Sequence, residues 1–239
     1  MDVSTSNSVP VTTKLTRRRL DSVAGNWPIG VKVAASVVLI AAPVAQLVDR
    51  AMFDMSNGYT SLFRELSANP SAVHIGAIAG MFAPALLIGS VFVWFQLART
   101  RSRIAASISL IAGVLAFTCL AVTTGYSFAA LGLSDAHLGT QAVADALAGY
   151  SGPPAPVLFA TFTITSVVCI LAAAWGLWRA HAVSRASVIL LVLFIVADVV
   201  EVLPFDPHFI GLAATILMSV SILTPVSRRN AAAATTIKP

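Results

Sequence analysis

The sequence predicts an all-α membrane protein, a polytopic bundle of about six transmembrane helices arranged as three outward-facing helical hairpins. Of the 239 residues, 57% are hydrophobic and 10% are charged, whereas a soluble domain carries about 25% charged residues. Six apolar runs are long enough, or nearly long enough, to cross about 30 Å of hydrocarbon. Lys and Arg lie mainly in short clusters between these runs. So few charges cannot cover a water-facing surface, so we expect the chain to lie in a bilayer.

The apolar runs divide the chain into one membrane domain and two tails. The predicted spans are 29–48, 70–98, 104–131, 153–178, 186–203 and 207–226. Residues 1–28 are polar and rich in Ser, Thr and Arg, and are predicted to be a disordered basic cytoplasmic tail. Residues 29–226 form the predicted transmembrane domain, and residues 227–239 a short cytoplasmic C-terminal tail.

The distribution of positive charge predicts the orientation of the spans. With the N-terminus in the cytoplasm, 13 of the 15 Lys and Arg residues fall in cytoplasmic segments, and only Arg50 and Arg64 lie outside. Loops on the cytoplasmic side of a membrane are enriched in these residues. The sequence therefore predicts a multi-pass protein of the cytoplasmic (inner) membrane with both termini inside.

Two other classes of protein are excluded by composition. The isoelectric point of about 9.8 could indicate nucleic-acid binding, but the basic residues are spread between apolar runs and do not gather on one face. Cys119 and Cys169 lie within apolar runs at different predicted depths. We therefore expect neither a nucleic-acid partner nor a disulfide-linked scaffold.

Each even-numbered span begins with a similar helix-start signal. A capping residue precedes proline at Asn69-Pro70, in Ser151-Gly152-Pro153 and at Asp206-Pro207. Proline suits the first turn of a helix, where its missing N–H has no partner to lose. The first two outer connections each contain a segment that mixes apolar and polar residues at helical spacing, at 61–67 and 138–148. This pattern predicts two short interfacial helices.

Two carboxylates within the predicted fifth span are the candidates for chemistry. Asp198 lies about 20 Å along the helix from Arg185, and Glu201 about 24 Å. Their spacing of three places them on one face, and charge inside a membrane is costly enough to suggest function. A proton-holding pair is the functional interpretation. The alternative is structural, with Glu201 at the interface and Asp198 accepting hydrogen bonds from the third span, at Thr123, Thr124, Tyr126 or Ser127.

Histidines on the predicted outer side offer a second hypothesis. His74, His137 and His208, with Glu201 or Asp206, could hold zinc or copper, since imidazole and carboxylate bind both ions. The close ligand spacing of known motifs such as HExxH is absent. Interfacial histidines without a metal are the alternative.

Gly76 and Gly80 form a GxxxG spacing in the second span. Small residues at this spacing let helices approach closely, either within one chain or between copies of it. Pro43 and Pro84 lie inside spans, where proline removes a backbone hydrogen bond and kinks a helix.

Three functions remain open from the sequence. The chain is interpreted as a small permease or proton-linked carrier using Asp198 and Glu201. It could instead be a non-catalytic accessory or assembly subunit, which binds another membrane protein, or a second copy of itself, through the GxxxG face or the outer interfacial helices. A membrane enzyme with an outward metal site at His74, His208 and Glu201 is the third hypothesis. No cofactor is predicted, because nucleotide, haem and Schiff-base signatures are absent. The layout is similar to many small bacterial membrane proteins, but no motif indicates a family.

Overall fold

The computed structural model of the protein describes residues 23–52, 59–135, 142–143, 145–146, 154–200 and 203–224. These residues contain helices and no β-strand, which confirms the predicted all-α class. A 3-10 turn at Val23–Asn26 is followed by α1 (Ile29–Met52), α2 (Tyr59–Ala68), α3 (Pro70–Ala98), α4 (Arg103–Asp135), α5 (Pro154–Ala180), α6 (Arg185–Val200) and α7 (His208–Leu223).

Four helices, α1, α3, α4 and α5, are long and apolar enough to cross a membrane. Helices α6 and α7 have 16 residues each, or about 24 Å, which is less than the usual hydrocarbon thickness. α7 ends before the predicted position because Thr224 is extended, with φ −77° and ψ 123°. The next residue is Pro225, and a residue that precedes proline avoids the helical conformation. The six-span topology and its orientation therefore stay predictions.

The six longer helices form a closed ring in chain order. α1 packs against α3, and contacts then continue from α3 to α4, α4 to α5, α5 to α6 and α6 to α7. The ring closes because α7 also packs against α1. A further contact joins α3 to α5. Consecutive ring helices are antiparallel, so the ends of α1, α4 and α6 lie beside the starts of α3, α5 and α7.

The ring is apolar on its outer surface as well as inside. Ile104, Ile111 and Phe159 are 79%, 70% and 66% exposed, an arrangement suited to lipid and poorly suited to water. Inside, Gly113 lets α4 approach its neighbours closely. A Cβ at that position would lie 2.7 Å from Val91 and 2.8 Å from Cys169 Sγ. Cys119 and Cys169 are both buried free thiols, as the sequence predicts.

The predicted helix start at Asn69-Pro70 is confirmed, and at Asp206-Pro207 the aspartate accepts a hydrogen bond while Pro207 precedes the first residue of α7. The Asn69 side chain accepts a hydrogen bond from Ala72 N at 3.3 Å, with Pro70 in the first turn of α3. Asp206 Oδ1 accepts one from His208 N at 2.8 Å at the start of α7. The third predicted cap, Ser151, lies outside the described residues. Each cap satisfies an N–H that the helix itself cannot pair.

A short helix, α2, covers the end of the ring that is predicted to face outward. The predicted segment 61–67 is helical within α2, which packs on α3. Leu62 of α2 is fully buried among Val73, Ala77 and Leu131. Of the second predicted segment, residues 142–143 and 145–146 are described and are helical.

Candidate functional site

Five charged or titratable residues meet at the predicted outer end of the ring. We call them the charged cluster: Asp49, Arg50, Asp198, Asp206 and His208. Arg50 comes from the last turn of α1, Asp198 from the last turn of α6, and His208 is the first residue of α7. They converge because the ring places the end of α1 beside α7, and α7 beside the end of α6.

Arg50 is shared between two carboxylates. Its Nη2 lies 3.5 Å from Asp198 Oδ1, and its Nη1 lies 3.9 Å from Asp206 Oδ1. Both distances are longer than the roughly 2.7–2.9 Å of a tight charge-assisted hydrogen bond. Half of the Arg50 side chain is exposed. The guanidinium therefore bridges α6 and the start of α7 without being locked onto either.

His208 is held in place on several sides. Its Nδ1 lies 2.8 Å from Asp206 Oδ1 and 3.9 Å from Asp198 Oδ1. The imidazole is buried and meets the Phe194 ring edge-on, with centroids 5.1 Å apart. Gly211, one turn further along α7, lies against the same ring, and a Cβ there would make an ordinary van der Waals contact with it at 3.4 Å. A carboxylate on Nδ1 favours the tautomer in which Nδ1 carries the proton.

The loop carboxyl of Asp206 is stabilised in its ionised form. Burial raises its pKa, but hydrogen bonds from the backbone N–H and ring of His208, together with the Arg50 charge, bring the pKa below its ordinary value. Asp206 therefore acts at once as the helix cap of α7 and as the anion that orients His208.

Asp49 differs from the other cluster members in its contacts. Among the described residues, no ion pair within 4.0 Å and no hydrogen bond involves its carboxylate. Gly80 of α3 faces it: a Cβ on Gly80 would lie 2.5 Å from Asp49 Oδ1. The predicted GxxxG position thus provides space for a carboxylate of the same chain.

A cavity of about 280 Å³, here called the central cavity, is surrounded by all six ring helices. On α3 its lining runs from Gly80 to Trp94, a separation of about 21 Å along the helix. Four of the five cluster members line it: Asp49, Arg50, Asp198 and His208. The cavity is thus charged at one end and extends between apolar helices.

A second opening, the lateral cleft, lies between α5 and α6 and has a volume of about 400 Å³. It shares Arg50, Asp198 and Ser166 with the central cavity. A smaller opening of about 220 Å³ shares Asp49 and Arg50 and reaches Thr123, Thr124 and Ser127 of α4. The charged cluster is therefore accessible from more than one side.

Two buried polar groups near the cavity have no hydrogen-bond partner within the described part of the chain. Ser166 and Trp94 both line it and are only 7% and 5% exposed. Neither the Ser166 hydroxyl nor the Trp94 indole N–H has a hydrogen-bond partner among the described residues. A buried polar group left unpaired is costly, so these two groups favour a water or a ligand nearby.

The structure brings some of the predicted residues together. Asp198 and His208 both belong to the charged cluster. Asp198 pairs with Arg50, whereas the hydroxyls of Thr123 and Thr124 donate to Leu120 O within α4. Glu201 lies outside the described residues, so its pairing with Asp198 stays a prediction.

The predicted metal ligands do not form a group within the described part of the chain. His74 is exposed near the start of α3, with Nδ1 2.6 Å from Pro70 O. No set of three or more His, Cys, Asp or Glu residues there has a metal-binding arrangement. Because Glu201 is not described, a site that includes it is untested.

Asp49 and Arg50 are members of the site that sequence motifs do not indicate. A usable signal was present, because Arg50 is one of the two exceptions to the positive-inside distribution and follows a carboxylate at the end of a span. An exception of this kind needs a stabilising partner, and Arg50 has two.

Comparison of the chain with protein-family models, curated proteins and solved structures found no match. What the fold defines is an all-helical protein with four apolar helices of membrane-spanning length.

Proposed function

We propose that the chain is a proton-linked carrier of the cytoplasmic membrane, with six spans and both termini inside. The observation that supports this most is the central cavity, which is surrounded by six helices and bordered at one end by two carboxylates, a guanidinium and an imidazole. Ionisable groups inside a membrane domain commonly mark proton or substrate paths. Transport sites also tend to lie between helices of one bundle.

Arg50 gives this site a means of coupling. It is within reach of both Asp198 and Asp206, and neither contact is short. When Asp198 takes up a proton it no longer attracts the guanidinium, and Arg50 is free to move toward Asp206. A proton would thereby change the contact between α1 and α6, and a two-state change of this kind is what coupling requires.

The two short helices are compatible with six spans. α6 and α7 lie in the same ring as the four longer helices, and a short span is accommodated by local thinning of the bilayer at modest cost. In this arrangement the charged cluster lies near the outer surface, which allows protons to enter from outside.

The accessory-subunit hypothesis is less well supported by the contacts. Its proposed docking face includes Gly80, which faces Asp49 of the same chain. The metalloenzyme hypothesis depends on Glu201, whose position is not described. We therefore keep the carrier as the proposed function.

The test is a proton-flux assay in proteoliposomes that contain an entrapped pH-sensitive dye. A panel of small cations, anions and neutral solutes is added outside, and a carrier should give an internal pH change for one class of solute that a protonophore abolishes. Asp198→Asn keeps the shape of the side chain but cannot ionise, so it should remove the response. Glu65→Gln, on α2 and outside the charged cluster, is the matched control. A wild-type response from Asp198→Asn would contradict the proposal.

A further inference from the structure

The lining of the central cavity carries more negative than positive charge. Two carboxylates, Asp49 and Asp198, and one guanidinium line the cavity, and the guanidinium is already shared by Asp198 and by Asp206 outside the lining. Asp49 remains without a cationic partner within 4.0 Å among the described residues. A half-buried carboxylate in this position is stabilised by a ligand that supplies positive charge.

Aromatic rings surround the same end of the cavity. Phe162 of α5 lines both the central cavity and the lateral cleft, and Phe194 of α6 lines the cavity beside His208. Phe159, one turn before Phe162, borders both openings from the exposed surface of α5. The face of an aromatic ring attracts a cation, most strongly when water is excluded. Rings together with carboxylates are the combination that recognises substituted ammonium groups.

The Ser166 hydroxyl indicates that the ligand also carries a polar group. Its hydroxyl is buried and has no hydrogen-bond partner among the described residues. It lines both openings that Asp198 lines. A ligand with a hydroxyl or another small polar group beside its cationic centre could satisfy it.

We propose that the central cavity binds a small organic cation, with a substituted ammonium group near Asp49, its alkyl groups against the phenylalanine rings and a polar group near Ser166. This inference rests on the proposed carrier function and names its substrate class. A carboxylate that holds a proton attracts a cation less strongly, so cation and proton compete for the site. Competition of this kind would exchange one for the other across the membrane.

The size of the cavity limits the ligand. A volume of about 280 Å³ lies at the lower end of the range for small-molecule sites. It suits a quaternary ammonium compound with a few carbon atoms better than a large aromatic dye. Choline is therefore a suitable probe, and 3,3-dimethyl-1-butanol is its neutral counterpart, in which carbon replaces the charged nitrogen.

The experiment is calorimetric titration of the purified full chain in detergent with choline, with 3,3-dimethyl-1-butanol and with acetate. We expect choline to bind at least about tenfold more tightly than its neutral counterpart, as a charge-dependent site requires. Acetate should not bind. This comparison uses the unmodified protein, so it does not depend on a variant that folds.

Two variants then locate the site. Asp49→Asn should weaken choline binding by about tenfold or more, and Phe162→Leu should weaken it by about three- to tenfold, since it keeps apolar volume but removes the ring. Glu65→Gln should bind choline as the unmodified protein does. Equal binding of choline and 3,3-dimethyl-1-butanol, absence of choline binding, or binding of acetate in place of choline would overturn the proposal.

The outcomes separate this inference from the carrier function. Choline binding without solute-driven proton flux would keep the cation site and remove the carrier. Proton flux driven by another class of solute, without choline binding, would keep the carrier and remove the cation site.

Discussion

Gly80→Ala tests whether the space that α3 leaves for Asp49 matters for the site. The added methyl group would lie 2.5 Å from Asp49 Oδ1, 2.9 Å from Cγ and 3.3 Å from Oδ2. Ordinary van der Waals contacts of a Cβ begin at 3.4 Å, so the shortest of these distances is about 0.9 Å too small. The carboxylate must therefore turn away from α3, because it is the mobile end of the contact.

The expected change in stability is small because two effects oppose each other. Alanine in place of glycine inside a helix stabilises by up to about 1 kcal/mol. Forcing Asp49 away from its preferred rotamer costs about 0.5–1.5 kcal/mol. The net change in the free energy of unfolding should stay within about 1 kcal/mol of zero. The affinity for choline, which depends on the position of the carboxylate, should fall by about tenfold.

The assay pairs thermal unfolding with choline titration on the same preparations. Gly89→Ala is the matched control, because it crowds the same pair of helices at Val38, with a Cβ contact of 2.8 Å, far from the charged cluster. Gly125→Ala, which has open space around it, controls for helix propensity. Gly89→Ala should alter stability and leave affinity unchanged. If Gly80→Ala binds choline as tightly as the unmodified protein, the carboxylate of Asp49 does not recognise the cation.

Three further predictions concern packing, topology and pH. Gly113→Ala places a methyl group 2.7 Å from Val91 and 2.8 Å from Cys169 Sγ, both fully buried. Overpacking of this kind costs about 1–3 kcal/mol, so the apparent melting temperature should fall. An unchanged melting temperature would show that α3, α4 and α5 pack less closely at this crossing than the structure indicates. Cysteines introduced at Ser56 and Ser134 should react with an impermeant thiol reagent in intact cells, and one at Ser227 should not; labelling at Ser227 alone would reverse the orientation. Because the pKa of Asp206 is lowered from 3.8 in the folded protein, its contribution to stability is complete above that value and is lost as the pH falls through the lowered pKa. Denaturant unfolding of Asp206→Asn should therefore lose stability less steeply in that acid range than the unmodified protein, and identical slopes would remove this role for the carboxyl.

The sequence alone allowed most helix bounds to be predicted. The span 70–98 coincides with α3, because Asn69 caps its start, Pro70 fits its first turn and the basic cluster after Ala98 ends its apolar run. The start of α7 follows from Asp206 and Pro207 in the same way. These are local effects between residues a few positions apart, so periodicity, capping and charge suffice to predict them.

The charged cluster required the tertiary structure. Arg50 and Asp198 are 148 positions apart in the chain, and they meet because α7 packs against both α1 and α6. The helices are apolar on nearly every side, so their sequences do not indicate which face turns inward. The sequence could place Asp198 at the end of a span and mark it as costly there. Only the closed ring determined that its partner is the arginine at the end of α1, because packing between helices decides which of several equally apolar faces meet.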